Sequence, residues 1–385
     1  MKGDVPVAPE FIPFNKPSIV GDEIGLMAQA ATAGQLADYG TFCERVETFL
    51  SEKHSARVML TKSCTHALEM AMMLLEIGRG DEVIVPSFAF ASCANAVALR
   101  GAKPVFVDVM RETCNIDPDA VANALTARTR AILAIHYGGV PSDVRALAEL
   151  ARRQGIALVE DAAHCTFGKM DDHALGTFGR FGTLSFHETK NIHCGEGGAL
   201  ILNHAADAPT AELLRDKGTD RARYLRGEVS EYTWQHLGSS FGLPNVLSAF
   251  LFGQLQQLEE VQSQRRRLWI RYDEGLRASV ERRGYGSMRP PRNTEPSYHT
   301  YYLILNDRSE RDDLIDYLAE RNIYAVFHYQ PLHRSDFARK IGADDARCPA
   351  SDLIADRIIR LPLFHDMTES QQMRVIDAVE DFAQK

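Results

Sequence analysis

The chain has 385 residues, enough for one large core and a smaller second one, with 45% hydrophobic and 25% charged residues as in an ordinary soluble globular protein. A net charge of −9 argues against a protein that wraps duplex nucleic acid or coats a membrane, but leaves room for a phosphorylated small ligand held by a few local donors. The seven cysteines are scattered without a CxxC pair, so no zinc site or disulfide framework is indicated, and reduced thiols in a cytoplasmic protein are expected.

The first ten or so residues lack an apolar signal core and read as a loose extension, and no later stretch is apolar enough to span a bilayer. From about residue 56 to 205, short apolar runs alternate with helical patterns. The runs are Arg57–Leu60, Glu82–Pro86, Pro104–Val107, Ala131–His136, Ala157–Glu160, Thr183–Phe186 and Ala199–Leu202. Between them lie amphipathic segments such as Thr65–Glu76 and Pro141–Gln154, the latter closed by Gly155. The alternation predicts an α/β fold with a mostly parallel central sheet, whose sites lie at the carboxyl ends of its strands. A long helix is predicted over Asn245–Arg283, and a turn-rich patch at Arg289–Asn293 precedes a small α+β unit. That unit contains strand Tyr301–Leu305, helix Glu310–Arg321, strand Tyr324–His328 and helix Glu369–Phe382. The expected organisation is a large domain over residues 1–260, its first 20 residues extended, and a small C-terminal domain over 261–385, linked by the 245–283 helix.

Three polar clusters follow apolar runs directly. Thr61–Leu68 stands where a strand ends and a helix begins, so its hydroxyls and free N–H groups can hold a phosphate; Ser63 can equally be a plain helix cap. In Val159–His164, Asp161 ends a buried strand, where a carboxylate is costly unless it meets a cation or donors. A protonated pyridine nitrogen would be such a partner, and a helix-capping role is the alternative. In Ser185–Asn191, followed by Gly195–Gly198, Lys190 sits on a short turn between buried strands, where desolvation favours imine chemistry; a surface lysine in a hairpin loop is the plain reading. Together the clusters supply a phosphate cradle, a pyridinium partner and an imine-forming amine, the three groups that pyridoxal 5′-phosphate (PLP) requires.

The segments Pro13–Pro17, Ser185–Asn191, Phe327–His333 and Arg360–Phe364 resemble the DegT/DnrJ/EryC1/StrS family of sugar-nucleotide aminotransferases, and the likeness runs through essentially the whole chain. Lys217–Thr219, Arg226–Gly227 and Tyr232–Trp234 are similar to its branch that makes dTDP-4-amino-4,6-dideoxyhexoses. The resemblance implies a PLP-dependent transferase of fold type I, aspartate aminotransferase-like. It implies Lys190 as the Schiff-base lysine and Asp161 on the pyridine nitrogen. Ser63, Cys64, Thr65 and Ser185 would hold the phosphate, Phe90 would stack on the ring, and His164 would lie near the 3-hydroxyl. A second subunit of a homodimer would complete the phosphate site with Ser240, where the family usually has Asn; Asn245 and His193 replace the usual Asp and Thr. His187, His328, Tyr329 and His333 are candidates for the sugar site, and no metal is expected, since His187, His193 and Cys194 lack a matching second pair of ligands.

Related enzymes that remove a sugar hydroxyl carry His in place of the lysine, so Lys190 favours transamination. The implied reaction takes an amino group from L-glutamate to C4 of a dTDP-4-keto-6-deoxyhexose, giving a dTDP-4-amino-4,6-dideoxyhexose. Amination at C3 of a 3-keto sugar, or a PLP-binding regulator without turnover, are the alternatives. A nicotinamide enzyme would need a GxGxxG after its first strand, which is lacking.

Overall fold

The structure, a computed structural model, describes residues 10–385. The expected loose extension therefore falls almost wholly outside the described residues. Nine strands precede residue 203: β1 (Arg57–Thr61), β2 (Glu82–Pro86), β3 (Lys103–Val107), β4 (Thr129–Ile135), β5 (Ala157–Asp161), the short β6 (Lys169–Met170) and β7 (His173–Ala174), then β8 (Phe181–Ser185) and β9 (Gly198–Leu202). Seven of them form one sheet in the order β1-β9-β8-β5-β4-β2-β3, parallel from β8 to β3, with β9 antiparallel to both its neighbours.

The predicted apolar runs became strands because both faces of the sheet are covered. Val83, Val85, Leu133 and Val159 pack on one side with Ala67, Leu68 and Ala71 of the helix Cys64–Leu74 and Ala96 and Val97 of the helix Ala91–Ala98. Ile84, Ile132, Ala134 and Leu158, one residue out of phase, pack on the other with Val144, Leu147 and Ala151 of the helix Val144–Gln154. That helix begins at Val144 because the Asp143 carboxylate caps it, accepting from the Ala146 N–H, and it ends at Gly155 in the left-handed region (φ 64°).

The long predicted helix is two helices, Asn245–Gln256 and Leu258–Arg283, broken at Gln257 (φ −107°, ψ 15°). The second sheet has three antiparallel strands in the order β10-β12-β13: β10 is Gly286–Ser287, β12 is Tyr301–Ile304 and β13 is Ile358–Leu361; β11 (Thr294–Glu295) pairs instead with β6. The predicted strand Tyr324–His328 is not a regular strand. This stretch makes only isolated bridges, Ile323 to Ile12 and Val326 to Arg360, before the chain leaves the sheet to carry His328 and Tyr329 toward β4 and β5. Ile12 is fully buried between these elements, held by the hydrogen bonds Ile12 N–H to Asn322 and Tyr324 N–H to Ile12. The next residues, Phe14 and Asn15, are thereby placed beside β13, where the Leu363 N–H donates to the Phe14 carbonyl.

Candidate active site

A cavity of about 450 Å³ lies at the carboxyl ends of β1, β5 and β8, roofed by residues of the second sheet. At the end of β5 two adjacent acids have opposite fates, as strand alternation dictates. Glu160 is fully buried and satisfied: it accepts the N–H groups of Gly176, Phe178 and Gly179 at 2.7–2.9 Å and faces His136 Nε2 at 3.2 Å. Asp161, 6% exposed, points into the cavity. It accepts from the Ala163 N–H at 2.9 Å and from two weak donors, the thiols of Cys64 (3.7 Å) and Cys93 (3.3 Å), and no cation among the described residues pairs with it. A buried carboxylate braced by thiols but lacking a counter-charge is suited to receive a protonated ring nitrogen.

Lys190 rises from the turn after β8. The turn is pinned by Phe186, Ile192 and Cys194, all buried, and by the Lys190 N–H to the His187 carbonyl (2.9 Å) and the Cys194 N–H to Phe186 (2.9 Å). Asn191 ties the loop to the Ser297 carbonyl (2.6 Å) and to Gln262 (3.1 Å). The ammonium makes no ion pair among the described residues. Desolvation pulls its pKa down to about 8, with the Asp161 carboxylate acting in the opposite direction.

At the start of the helix Cys64–Leu74, the Ser63 hydroxyl caps the helix by accepting from the His66 N–H (3.2 Å) and lies 3.0 Å from His66 Nδ1. The Cys64 side chain turns away from this end, toward Asp161 and Thr183 Oγ1 (3.3 Å), because it occupies the buried side of the first helical turn. Of Cys64, the backbone N–H is the group left to face a phosphate, in keeping with a cradle built partly of free N–H groups at the helix start. Thr65 Oγ1 meets Ser92 Oγ at 2.7 Å on the cavity wall, and Ser185 lines it from the end of β8. Gly198 lets β9 pass beside this helix start: a Cβ there would lie 2.3 Å from the Cys64 nitrogen. Ser240 is exposed, accepts from Lys62 Nζ (3.0 Å) and lies outside this chain's own cavity.

His164, His328, Tyr329 and Phe90 all reach the cavity. His164 Nδ1 accepts from the Gly138 N–H (3.2 Å), so its proton sits on Nε2, 3.2 Å from the Tyr329 hydroxyl. Burial, reinforced by Lys190 and Arg360, holds His164 well below the usual imidazole range, and it is a neutral donor. Its ring stacks on His299 (4.6 Å between centroids) and lies near-parallel to His328 (6.0 Å). His328 Nδ1 is held by the Tyr137 hydroxyl at 2.5 Å. His187 lies at the rim, half-exposed, with Nδ1 on Thr189 (2.9 Å) and Nε2 3.5 Å from Glu196.

His333 does not reach the cavity. It is buried beside the carboxyl end of β2, with Nδ1 2.6 Å from Ser87 Oγ and Nε2 3.6 Å from Asp352, so the structure makes it a packed, hydrogen-bonded residue rather than a sugar contact. Residues that sequence reasoning passed over are Phe14, Asn15, Ser92, Cys93, His299 and Arg360, all on the cavity wall. Phe14, Asn15 and Arg360 lie in segments that carry the family resemblance, and Arg360 stands out further as a lone cation inside the apolar run Ile358–Leu361. No three His, Cys, Asp or Glu residues among those described are grouped to hold a metal, and no helix is long and apolar enough to cross a membrane.

Comparison with known proteins places this geometry. TlmJ, an aminotransferase from Streptoalloteichus hindustanus, is 32% identical, with a TM-score of 0.90 over 97% of this chain and 99% of that one. DesV of S. venezuelae, solved with a ketimine intermediate, is 29% identical with a TM-score of 0.90, covering 98% and 100% of the two chains. A DegT/DnrJ/EryC1/StrS aminotransferase from Brucella abortus is 28% identical with a TM-score of 0.85, covering 94% and 95%. Residues 17–380 match the profile of that family. The chain belongs to the DegT/DnrJ/EryC1/StrS aminotransferase family and is a PLP-dependent sugar aminotransferase of the aspartate aminotransferase-like fold.

Proposed function

We propose that the protein transfers the amino group of L-glutamate to C4 of a dTDP-4-keto-6-deoxyhexose, giving a dTDP-4-amino-4,6-dideoxyhexose, with Lys190 and Asp161 as its catalytic pair. The observation that carries the catalytic assignment is their placement on one 450 Å³ cavity, an amine with a pKa of about 8 and a buried carboxylate without a cation. When bound, PLP supplies an aldehyde that stores the amino group between two half-reactions and a ring that draws off the electron pair left on the reacting carbon.

The chain's own residues do the rest. The N–H groups at the start of the helix Cys64–Leu74, with the hydroxyls of Thr65 and Ser185, bind the phosphate; Ser63 holds that helix start in place through its cap. Asp161 keeps a proton on the ring nitrogen. His164 donates from Nε2 to the ring's oxygen substituent, and Phe90 covers the ring. Lys190, as a free amine beside the reacting carbon, would take up and return the proton of that carbon, a transfer that needs an amine titrating near neutrality.

The choice of C4 is supported by the likeness over Lys217–Trp234. That stretch also exposes Tyr224, Tyr232 and Trp234, with Leu237 close behind, a run of apolar side chains leading to Ser240; it supports a homodimer in which Ser240 serves the neighbour's phosphate site. The division into a large domain over 1–260 and a small one over 261–385 belongs to the same reading. The test is to incubate the PLP-loaded protein with glutamate and dTDP-4-keto-6-deoxyglucose and identify the product by NMR. A 4-amino sugar is expected, and the couplings of H4 to H3 and H5 distinguish gluco from galacto. No product, with a cofactor band that still responds to glutamate, would move the assignment to 3-keto acceptors; no response at all would refute transamination.

A further inference from the structure

We propose that His299 accepts a hydrogen bond from the sugar hydroxyl beside the reacting carbonyl, with Asn191 as the positioning residue that keeps His299 Nε2 unprotonated. The inference deepens the proposed reaction and rests on it. Asn191 follows Lys190 in the turn after β8, and its amide reaches two later segments. Its Nδ2 donates to the Ser297 carbonyl at 2.6 Å and to Gln262 Oε1 at 3.1 Å. A main-chain carbonyl only accepts, so the amide has one orientation, with Oδ1 toward His299 Nδ1 at 3.0 Å. An amide oxygen also only accepts, so the His299 proton is on Nδ1 and the lone pair is on Nε2.

The ring is held in this attitude from its own backbone. Arg265, on the same long helix as Gln262, donates to the carbonyls of Tyr298 (3.1 Å) and His299 (2.5 Å), and the Ser297 N–H donates to the Gly139 carbonyl (3.0 Å). His299 lines the cavity, and its Nε2 has no partner among the described residues. Its stacked neighbour His164, with 29° between the ring planes, is the opposite tautomer, because its Nδ1 accepts from the Gly138 N–H. The stack therefore offers the cavity one donor and one acceptor. Burial holds His299 well below the usual imidazole range, and His164, Lys190, Arg265 and Arg360 all act in the same direction, so the lone pair persists at working pH.

A lone pair turned into a cavity calls for a donor. The protein's own hydroxyls on the wall at Thr65 and Ser92 already meet each other. Among the reactants, the cofactor's ring N–H is assigned to Asp161, and the amino donor's carboxylates only accept. The donor's amine is consumed at the reacting carbon. The hexose brings the remaining donors, its hydroxyls. Because His299 is bonded to the residue next to Lys190, the hydroxyl in question is the one nearest the reacting carbon, at C3 of a 4-keto sugar.

The first arm of the experiment reads the tautomer by ¹⁵N-histidine NMR of the PLP-loaded protein. His299→Phe keeps a flat ring against His164 and identifies the His299 signals by their loss. Wild type should carry the proton on Nδ1. Asn191→Leu should release it to Nε2, the form that an unconstrained histidine favours, whereas Asn191→Asp, still an acceptor, should keep it on Nδ1. The second arm follows the two half-reactions separately by stopped-flow absorbance, at equal cofactor content and matched near-UV circular dichroism. In the keto-sugar half, His299→Phe and Asn191→Leu should each lose about 10–100-fold in kcat/KM, while the glutamate half stays within about threefold. Asn191→Asp should leave the ratio of the two halves within about threefold of wild type. With the 3-deoxy form of the acceptor, wild type and His299→Phe should differ by less than about threefold. A wild-type proton on Nε2, equal losses in both halves, or an undiminished loss on the deoxy acceptor would overturn the assignment of His299. A proton that stays on Nδ1 in Asn191→Leu would overturn the role of Asn191. If wild type does not aminate the 4-keto sugar, that reading fails by itself, and the same comparison with a 3-keto acceptor and its deoxy forms decides His299.

Discussion

Lys190 makes the electrostatics of the site measurable. Burial draws its pKa from 10.5 to about 8, with Asp161 opposing the fall, so the shift raises the fraction of free amine. An amine titrating at about 8 is about 10% free base at pH 7 and about 90% at pH 9, whereas an ordinary lysine is about 0.03% free at pH 7. Only the free base attacks an aldehyde. The rate at which cofactor-free protein captures PLP covalently should therefore rise about tenfold between pH 7 and pH 9 and then level off. Rapid mixing with PLP, read from its absorbance band, gives the profile; the phosphate group titrates near pH 6 and does not disturb this window. A rate still climbing about tenfold per unit at pH 9 would show an undesolvated lysine and refute the account. Two variants check the causes: Asp161→Asn removes an attraction and should move the plateau to lower pH, while Arg360→Gln removes a repulsion and should move it higher.

Lys190→Ala should suppress both half-reactions by on the order of 10⁴-fold or more, whereas Asp161→Ala should weaken cofactor retention and slow proton abstraction while leaving the lysine able to capture PLP; single-turnover absorbance separates the two. His333→Ala should cost about 1–3 kcal/mol of stability through loss of the buried ring and its Nδ1 hydrogen bond to Ser87 Oγ, lowering the unfolding midpoint while kcat stays within about twofold, because the side chain lies outside the cavity. Gly198→Ala would drive a Cβ to 2.3 Å from the Cys64 nitrogen and should cost about 1–3 kcal/mol, with the PLP dissociation constant rising more than kcat falls. Equilibrium titration with PLP checks it, and unchanged affinity would mean that the helix start does not hold the phosphate.

What was legible in the sequence divides along a physical line. The central sheet was readable because a strand covered on both faces must be apolar almost throughout, and each of the seven predicted runs overlaps a strand of the sheet. The polar clusters at the cavity were readable for a related reason: a site at a strand end places a polar residue at the close of an apolar run, as with Thr61, Asp161 and Ser185. Tyr324–His328 misled because its apolar pattern serves bridges to Ile12 and Arg360 rather than a ladder. The misplaced and missing site residues come from contacts between distant segments, which local pattern does not encode. His333 and His328 stand five residues apart, yet one is stitched to Ser87 after β2 and the other to Tyr137 at the cavity. Cys64 follows the helix cap directly, but helical geometry sends its sulfur to Asp161, while its backbone nitrogen stays at the helix end. His299 reaches the cavity because Arg265, from the long second helix, holds the carbonyls of Tyr298 and His299. Arg360 could be noticed as a lone cation in an apolar strand, but its missing counter-charge emerges only once Phe14, Phe327 and β13 are assembled around it. A buried charge without its partner is therefore the strongest pointer this fold offers to a ligand, and Asp161, on the cavity wall with no cation paired to it among the described residues, suits the opposite charge of a protonated ring nitrogen.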